Sequence, residues 1–343
     1  MSNKPFFTIG IPVYNMSKWV GECLDSILSQ NFADFEIICV DDGSRDNSLE
    51  VLNNYAARDS RIKVIARENG GVSTARNCIF CYAEGEYIFT IDSDDIMCKD
   101  VLGTFYKTIV DNNYPDILQT SHLEEKNGII KEVLRDYPGD KYFDSSFSKD
   151  ERAVRLWLDR TFMPFGSTRF VKREFLANNG IMQSKRYTAF EDSAFSFDLY
   201  RKADTIAYSP VSSFIYCLSR DDVPADKINY KSFKSTLLRW NDFYTDIDSW
   251  NLSEQCRRLV ACEKDKFVTE YRDKLLTLFE AMPTAQDSFK AICLVEDLLG
   301  EKIKKLPLPK GKYGLIFFIA RFIGIEKTMK ILYRYLASKG ITK

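Results

Sequence analysis

The sequence predicts an α/β protein with a Rossmann-like, mostly parallel sheet flanked by helices and followed by a helical C-terminal region. Within residues 1–120, short apolar runs rich in β-branched and aromatic residues alternate with segments of helical periodicity. These apolar runs end in acidic and polar residues, and parallel sheets bind their ligands at those ends. Beyond about residue 224 the periodicity is helical.

Four apolar runs in the N-terminal part predict strands that are buried on both faces, as is typical of parallel sheets. The runs are Phe6–Val13, Phe35–Asp41, Lys63–Ala66 and Tyr87–Asp92. Apolar stripes between these strands predict three helices. Ser44 or Asp46 is expected to cap the second helix and Ser73 the third. Strand and helix therefore alternate as in a doubly wound sheet.

The second half of the chain has a less regular pattern until its helical region begins. Strands are predicted at Asp116–Ser121, at the start of Ser167–Ile181 and within Ile206–Arg220. Helices are predicted at Tyr230–Tyr244, Ser253–Met282 and Thr284–Leu299. We place a domain boundary near Pro224, with residues 1–223 as the first domain and 224–343 as a helical region.

The formal net charge of −1 conceals an uneven distribution. Residues 301–343 contain eleven Lys or Arg and two Glu, a balance of +9, which leaves −10 on residues 1–300. Since an acidic body repels nucleic acid, no nucleic acid partner is expected. The basic tail 301–343 either packs as a core helix or lies as an amphipathic segment among the headgroups of an anionic membrane.

The nine cysteines and the N-terminus bear on the location of the protein. Several cysteines lie inside apolar runs and their count is odd, which favours a reducing compartment. Met1–Pro12 lacks an apolar signal region, and no stretch of about 18 apolar residues predicts a membrane-spanning helix. We expect a cytoplasmic protein, with peripheral contact at the inner face of the membrane if the tail binds lipid.

Three carboxylates, Asp92, Asp94 and Asp95, follow the fourth predicted strand. Because they repel one another, a cation is expected among them. Hard divalent ions take oxygen ligands, and Mg²⁺ is often held by one or two carboxylates together with substrate phosphates. The alternative is an ordinary loop in which the carboxylates are solvated.

A second acidic pair, Asp41 and Asp42, ends the second strand of the same predicted sheet. No glycine-rich dinucleotide loop follows the first strand and no P-loop occurs, so a nucleotide would be held through a metal ion. The Gly-Gly loop of "ENGGVSTARN" leads into a helix that carries Arg76, which offers a partner for phosphate.

The ordered motifs "PVYN", "VDDGS", "NGGVSTARN", "DSDD" and "FEDSAF" resemble those of glycosyltransferase family 2, whose members are inverting enzymes with the GT-A fold. The resemblance covers roughly residues 5–220. It implies a nucleotide-sugar half at about 1–120 and an acceptor half at about 121–223, together forming a GT-A catalytic domain. The region after Pro224 is not covered.

The resemblance also implies roles for residues that bind the donor. Pro12 and Tyr14 would flank the nucleotide base, and Asp41 or Asp42 would accept a hydrogen bond from it. The metal site would be Asp94 with Asp92 or Asp95, which would hold the diphosphate through Mg²⁺ or Mn²⁺.

On the acceptor side, the resemblance implies that Asp192 is the catalytic base and that Glu191 lies beside it near the acceptor. Arg220 is the candidate to meet the leaving diphosphate, although the second basic residue usual in the family is missing here.

The implied activity is transfer of one hexosyl or N-acetylhexosaminyl group from a nucleotide-sugar to a hydroxyl of a glycan or lipid-linked acceptor. UDP is the expected carrier, and the implied pathway is polysaccharide, lipooligosaccharide or capsule synthesis. Processive synthases of the family carry Q-x-x-R-W, and "TLLRW" lacks the glutamine. A nucleotidyltransferase-like enzyme and a non-catalytic carbohydrate-binding relative remain as alternatives.

Overall fold

The computed structural model describes residues 4–133, 147–158, 166–187, 191–220, 230–264 and 327. The chain divides into two compact units. The first contains Met1–Lys185 and Glu191–Ala225, and the second contains Arg186–Phe190 and Asp226–Lys343.

The strands of the first unit are β1 (Phe7–Val13), β2 (Phe35–Asp41), β3 (Ile62–Ala66), β4 (Tyr87–Thr90), β5 (Ile96–Met97), β6 (Ile117–Lys126), β7 (Ile129–Glu132), β8 (Arg169–Lys172) and β9 (Ile206–Cys217). Its helices are α1 (Val20–Leu28), α2 (Ser48–Ala56), α3 (Val72–Tyr82), α4 (Leu102–Asp111), α5 (Lys149–Leu158), α6 (Arg173–Asn178) and α7 (Glu191–Lys202). The second unit contains α8 (Tyr230–Asp246) and helical residues at 254–264.

The nine strands form one sheet in the order β3-β2-β1-β4-β8-β6-β9-β5, with β7 paired to β6. From β3 to β4 the neighbouring strands are parallel. Beyond β4 the pairing is mixed, because β8 runs antiparallel to both β4 and β6 while β6 and β9 are parallel. The predicted α/β architecture with a mostly parallel sheet is confirmed. The antiparallel strand β8 joins the parallel strands β3 to β4 to the second half of the sheet.

The central strands are buried on both faces, as their sequences predict. Each residue of β1, β2 and β4 is buried. Phe170 of β8 continues this core, since its ring stacks on Phe89 at 4.5 Å between centroids and lies 5.0 Å from Phe105. The two halves of the sheet therefore share one apolar core, which holds the loops at its carboxyl edge in place.

Several local expectations differ from the structure. The fourth strand ends at Thr90, so Asp92 lies in the following loop. Ser73 lies inside α3 and Gly71 occupies the N-cap position, so the expected serine cap is wrong. The N-cap position of α2 is Asn47, which makes no side-chain cap bond, so the expected cap by Ser44 or Asp46 is also wrong. Asp46 instead accepts a hydrogen bond from the Ser48 backbone N–H at 3.0 Å, from the position before the cap.

The second unit has its own aromatic contacts. The ring of Phe243 on α8 meets Trp250 edge-on at 5.6 Å, and the Tyr187 hydroxyl donates to Asp242 at 2.8 Å. None of the helices in the described ranges combines the length and apolar character needed to cross a membrane. Residues 265–282 of the helix predicted at Ser253–Met282, the predicted helix at 284–299 and the basic tail lie outside the described residues, apart from Lys327.

Candidate active site

The loop after β1 is joined to the loop after β2 at the carboxyl edge of the sheet. Backbone N–H groups of residues 15–17 donate to the side chains of Ser44, Ser48 and Asp46 at 3.0, 2.7 and 3.0 Å. Burial alone would raise the pKa of Asp46, but hydrogen bonds from Ser48 and Ser17 lower it to about 2. The ionised carboxylate therefore fixes the geometry of both loops.

Pro12 and Tyr14, the residues expected to flank a nucleotide base, lie at the start of this joined region. Pro12 is buried near the end of β1, opposite Val40 of β2. Tyr14 is 41% exposed, so its ring is open to a ligand.

The two acids that end β2 have different surroundings, although both are buried. Asp42 accepts hydrogen bonds from the backbone N–H groups of Gly70 and Gly71, the latter at 2.7 Å, and pairs with Arg67 at 2.6 Å. It therefore holds the Gly-Gly loop against the sheet. Asp41 accepts one bond, from the Ser44 N–H at 3.3 Å, and its Oδ1 atom has no protein partner. Of the two, Asp41 retains more hydrogen-bonding capacity.

The acids of the "DSDD" loop also differ from one another. Asp95 is 1% exposed, and its Oδ1 accepts the Cys217 N–H at 3.1 Å, which ties the loop to the end of β9. Burial, and then the charges of Asp92 and Asp94, raises the pKa of Asp95 well above its ordinary value. Burial and the Asp92 charge raise the pKa of Asp94 to about 6. Burial contributes most to both shifts, and the negative charge of the neighbouring carboxylates adds to it.

Arg76 of α3 is the cation beside this loop. Its Nη2 donates to Asp92 Oδ1 at 2.8 Å, and its Nη1 donates to Asp192 Oδ1 at 2.7 Å and to Glu191 Oε1 at 3.1 Å. Burial opposes the guanidinium charge, but the three carboxylates outweigh it and raise the pKa of Arg76. Glu191 and Asp192, which lie 115 and 116 residues further along the chain, thus contact the same guanidinium nitrogen.

Glu191 and Asp192 open helix α7, where the helix dipole favours negative charge. Burial and the neighbouring Asp192 charge raise the pKa of Glu191, against the lowering effect of Arg76. The side-chain N–H of Gln183 lies 3.4 Å from Asp192 Oδ1. Asn77 of α3 bonds both backbone groups of Gln183, at 2.7 and 2.8 Å.

Arg220 lies where β9 leaves the sheet. Its guanidinium pairs with Glu22 at 2.7 Å and lies 4.5 Å from the centre of the Trp19 ring. Its Nη1 atom is buried without a protein partner. Its charge lowers the pKa values of Asp94 and Asp95, although burial and the other acids dominate both. Positive charge therefore faces the acidic loop from this side.

The acidic loop fits a divalent ion only together with a ligand. Among the described residues, no group of three or more acid, histidine or cysteine side chains is arranged to hold a metal ion alone. Asp92 and Asp94 remain partly exposed, and each raises the local negative potential that a cation would relieve. Two carboxylates suffice for Mg²⁺ or Mn²⁺ when phosphate oxygens complete the shell.

The structure thus brings Asp92, Glu191 and Asp192 together around Arg76, with Asp94, Asp95 and Arg220 acting electrostatically on one another. Asp42 instead binds the Gly-Gly loop. Sequence reasoning missed Gln183, Trp19 and Glu22. Trp19 and Glu22 meet Arg220 from far along the chain, Gln183 is held by Asn77 from 106 residues away, and no local pattern marks any of them.

Comparison with known proteins assigns the chain to a family. The model of "Glycosyl transferase family 2" matches residues 8–180, just over half of the chain. A poly(ribitol-phosphate) beta-glucosyltransferase of Bacillus spizizenii is 32% identical over 218 residues, which are 62% of this chain and 32% of that protein. The chain therefore spans about a third of the length of this relative.

Two solved structures share the fold. Residues 1–349 of Staphylococcus aureus TarS in complex with UDP-GlcNAc align with a TM-score of 0.62 and 19% identity, over 97% of this chain and 92% of that one. The mannosyltransferase PcManGT of Pyrobaculum calidifontis, in complex with GDP-Man and Mn²⁺, aligns with a TM-score of 0.51 and 16% identity, over 98% and 86%. The predicted GT-A fold is confirmed, and the chain belongs to glycosyltransferase family 2.

Proposed function

We propose that this chain is an inverting glycosyltransferase that moves one sugar from a UDP-sugar to a hydroxyl group of a glycan or lipid-linked acceptor. Family membership supports sugar transfer. The glucosyltransferase relative and the TarS complex with UDP-GlcNAc support a hexosyl or N-acetylhexosaminyl donor carried by UDP. The relative's poly(ribitol-phosphate) name supports a polyol-phosphate polymer as one class of acceptor.

The observation that carries this proposal is the position of Asp192. Its carboxylate lies at the carboxyl edge of the sheet, on the same guanidinium as Asp92 of the acidic loop. A carboxylate there can take the proton of an acceptor hydroxyl as its oxygen attacks the anomeric carbon. Attack from the face opposite the diphosphate is a single displacement, so the configuration at that carbon inverts.

The donor side would hold the diphosphate through charge. Asp94, with Asp92, would bind Mg²⁺ or Mn²⁺, which would neutralise the diphosphate as it leaves. The PcManGT complex with Mn²⁺ supports this use of a metal ion. Arg220 would add positive charge from the other side, because its Nη1 atom has no protein partner. Tyr14 and Asp41 would contact the base.

A non-catalytic carbohydrate-binding relative is the second candidate, because a binding protein could keep the same carboxylates. A nucleotidyltransferase-like enzyme is the third, since it would use the same metal site. Turnover separates the three: a transferase releases nucleoside diphosphate, a nucleotidyltransferase releases pyrophosphate, and a binding protein releases neither.

The test is a screen of UDP-glucose, UDP-GlcNAc, UDP-galactose and GDP-mannose, each with Mn²⁺ and with a chelator. We expect one UDP-sugar to raise the melting temperature and to be hydrolysed slowly to UDP in the presence of Mn²⁺. Chelator should abolish both effects. Thermal shift without nucleotide release for each donor, even with polyol-phosphate or glycan acceptors added, would contradict the proposal.

A further inference from the structure

We infer that helix α3 positions the acceptor-side carboxylates, and that Arg76 orients Asp192 instead of binding the donor diphosphate. This inference rests on the proposed function, because it takes Asp192 to be the base. It revises the interpretation that the sequence suggests for Arg76, in which an arginine at the edge of the sheet meets phosphate.

The contacts of Arg76 favour orientation of protein groups over ligand binding. Both terminal nitrogens already donate to carboxylates, at 2.7 to 3.1 Å, so that Nε alone lacks a protein partner, and the residue is 3% exposed. A planar guanidinium with two occupied terminal nitrogens fixes the direction of each partner. Because Nη1 bonds both Glu191 and Asp192, it also holds two like charges side by side at the start of α7.

Moving Arg76 to a diphosphate would be costly. Asp92, Glu191 and Asp192 would lose their shared counter-charge, and Glu191 is itself buried. Removing one partner from a buried ion pair leaves the other charge uncompensated, which is strongly unfavourable. The diphosphate has another source of positive charge in Arg220. Arg76 therefore stays with the carboxylates when the donor binds.

The next residue of α3 holds Asp192 by a second route. Asn77 bonds the backbone N–H and carbonyl of Gln183, which is 3% exposed. This pairing fixes the Gln183 backbone, and the Gln183 amide then lies 3.4 Å from Asp192 Oδ1. The amide and the guanidinium thus reach the same carboxylate oxygen. Arg76 and Asn77 of α3 together therefore hold Asp192, the proposed base, in position.

The deciding experiment compares Arg76→Lys with Arg61→Lys. Lysine keeps the charge but cannot reproduce the fork of hydrogen bonds. Arg61 makes a partly exposed pair with Asp59 at 2.7 Å just before β3, away from the site, so it controls for a generic arginine-to-lysine effect. The readouts are kcat, the KM for the UDP-sugar and the KM for the acceptor, with thermal unfolding to verify folding.

For Arg76→Lys we expect kcat to fall by about 10²-fold, as for a misplaced reacting group, while the donor KM stays within about threefold. Arg61→Lys should leave kcat and the donor KM at their wild-type values. A raised donor KM with unchanged kcat would show that Arg76 acts on the donor, directly or through its partner Asp92 in the proposed metal site, and would overturn the inference alone. Unchanged kinetics would also overturn it. A wild-type protein without turnover would overturn the inference and the proposed function together.

Gln183→Met provides a second variant in case Arg76→Lys fails to fold. It removes the amide donor while keeping the length and apolar character of the side chain. We expect a fall in kcat of about tenfold, the loss of one hydrogen bond to a charged group, with the donor KM unchanged. An unchanged kcat in a folded Gln183→Met protein would show that the Gln183 amide does not position Asp192, and would contradict the role of α3 in positioning the base.

Discussion

Aspartate residues of this site differ in what surrounds them, and their chemistry differs accordingly. Asp95 is buried and bonded to backbone, Asp192 is held by Arg76, and Asp94 is partly buried beside another carboxylate. The pKa of about 6 for Asp94 shows that the folded protein disfavours its charge. A ligand that brings a cation would restore that charge.

Replacement of Asp94 should raise the stability of the ligand-free protein and abolish donor binding. Since the pKa of Asp94 is raised in the folded state, its ionisation destabilises the fold as pH rises through about 6. Asp94→Asn removes this effect, so we expect the ligand-free protein to gain about 1–2 kcal/mol at pH 7.5, a figure reduced because part of the side chain is solvated. Donor binding with Mn²⁺ should be lost.

Denaturant unfolding at several pH values checks this result. The gain should disappear below pH of about 4, where the carboxyl is protonated in both folded and unfolded states. If Asp94→Asn is less stable than the wild type at pH 7.5, or if it binds the UDP-sugar normally, then Asp94 does not have this role.

At the residue scale, the sequence predicts a cation among the three carboxylates of the acidic loop, but it could not show that Arg76 contacts Asp92. Arg76 is 16 residues from Asp92 and 116 from Asp192, so its partners depend on strand order and on the placement of α7. Gln183 carries no charge or motif that would mark it. Its role follows from a backbone pairing with Asn77 that only the folded chain reveals.

Among the elements, the buried strands were predictable and the exposed ones were not. β1, β2 and β4 are apolar runs because both of their faces are buried. β7 is exposed along its whole length and β5 has only two residues, so neither has a periodicity long enough to detect. The serine cap expected at α3 failed because Gly71, with φ +87°, makes the turn into that helix.

The loop after β2 depends on a glycine in the left-handed region. Gly43 has φ +73°, and a Cβ atom there would lie 2.8 Å from the backbone nitrogen of Asn69. Gly128 has a similar φ of +76° with nothing within 4 Å, so it provides a matched control. Gly128→Ala should cost about 1 kcal/mol from backbone strain alone.

We expect Gly43→Ala to cost at least about 1 kcal/mol more than Gly128→Ala, because the added methyl group displaces Asn69. Donor affinity should fall as well, since Asn69 and Asp42 are joined by a hydrogen bond of 2.8 Å. Urea denaturation and donor titration of both variants measure these effects. Equal losses of stability and donor affinity in the two variants would show that the loop accommodates the methyl group without displacing Asn69.

At the scale of the whole molecule, the order of strands creates the site. Pairing of β4 with β8 attaches the second half of the sheet, and pairing of β9 with β5 returns the chain to the acidic loop. Periodicity predicts each strand but says nothing of its neighbours, so this order could not be predicted from the residues. The resemblance to a family implied the arrangement instead.

The basic tail leads to a prediction about location. The balance of +9 on residues 301–343 would draw this segment to anionic lipid. We expect the full chain to float with vesicles of phosphatidylglycerol, to remain free with phosphatidylcholine, and to lose flotation when residues 301–343 are deleted. Unchanged flotation of the shortened chain would show that the tail does not bind the membrane.

The most direct measurement compares donor binding and turnover in Asp192→Asn, with Asp34→Asn as a control at an exposed position before β2. If Asp192 takes the acceptor proton, kcat should fall by at least about 10²-fold at saturating acceptor while the Kd for the UDP-sugar stays within about threefold. Asp34→Asn should match the wild type in both. Turnover near the wild-type rate in Asp192→Asn would contradict the account.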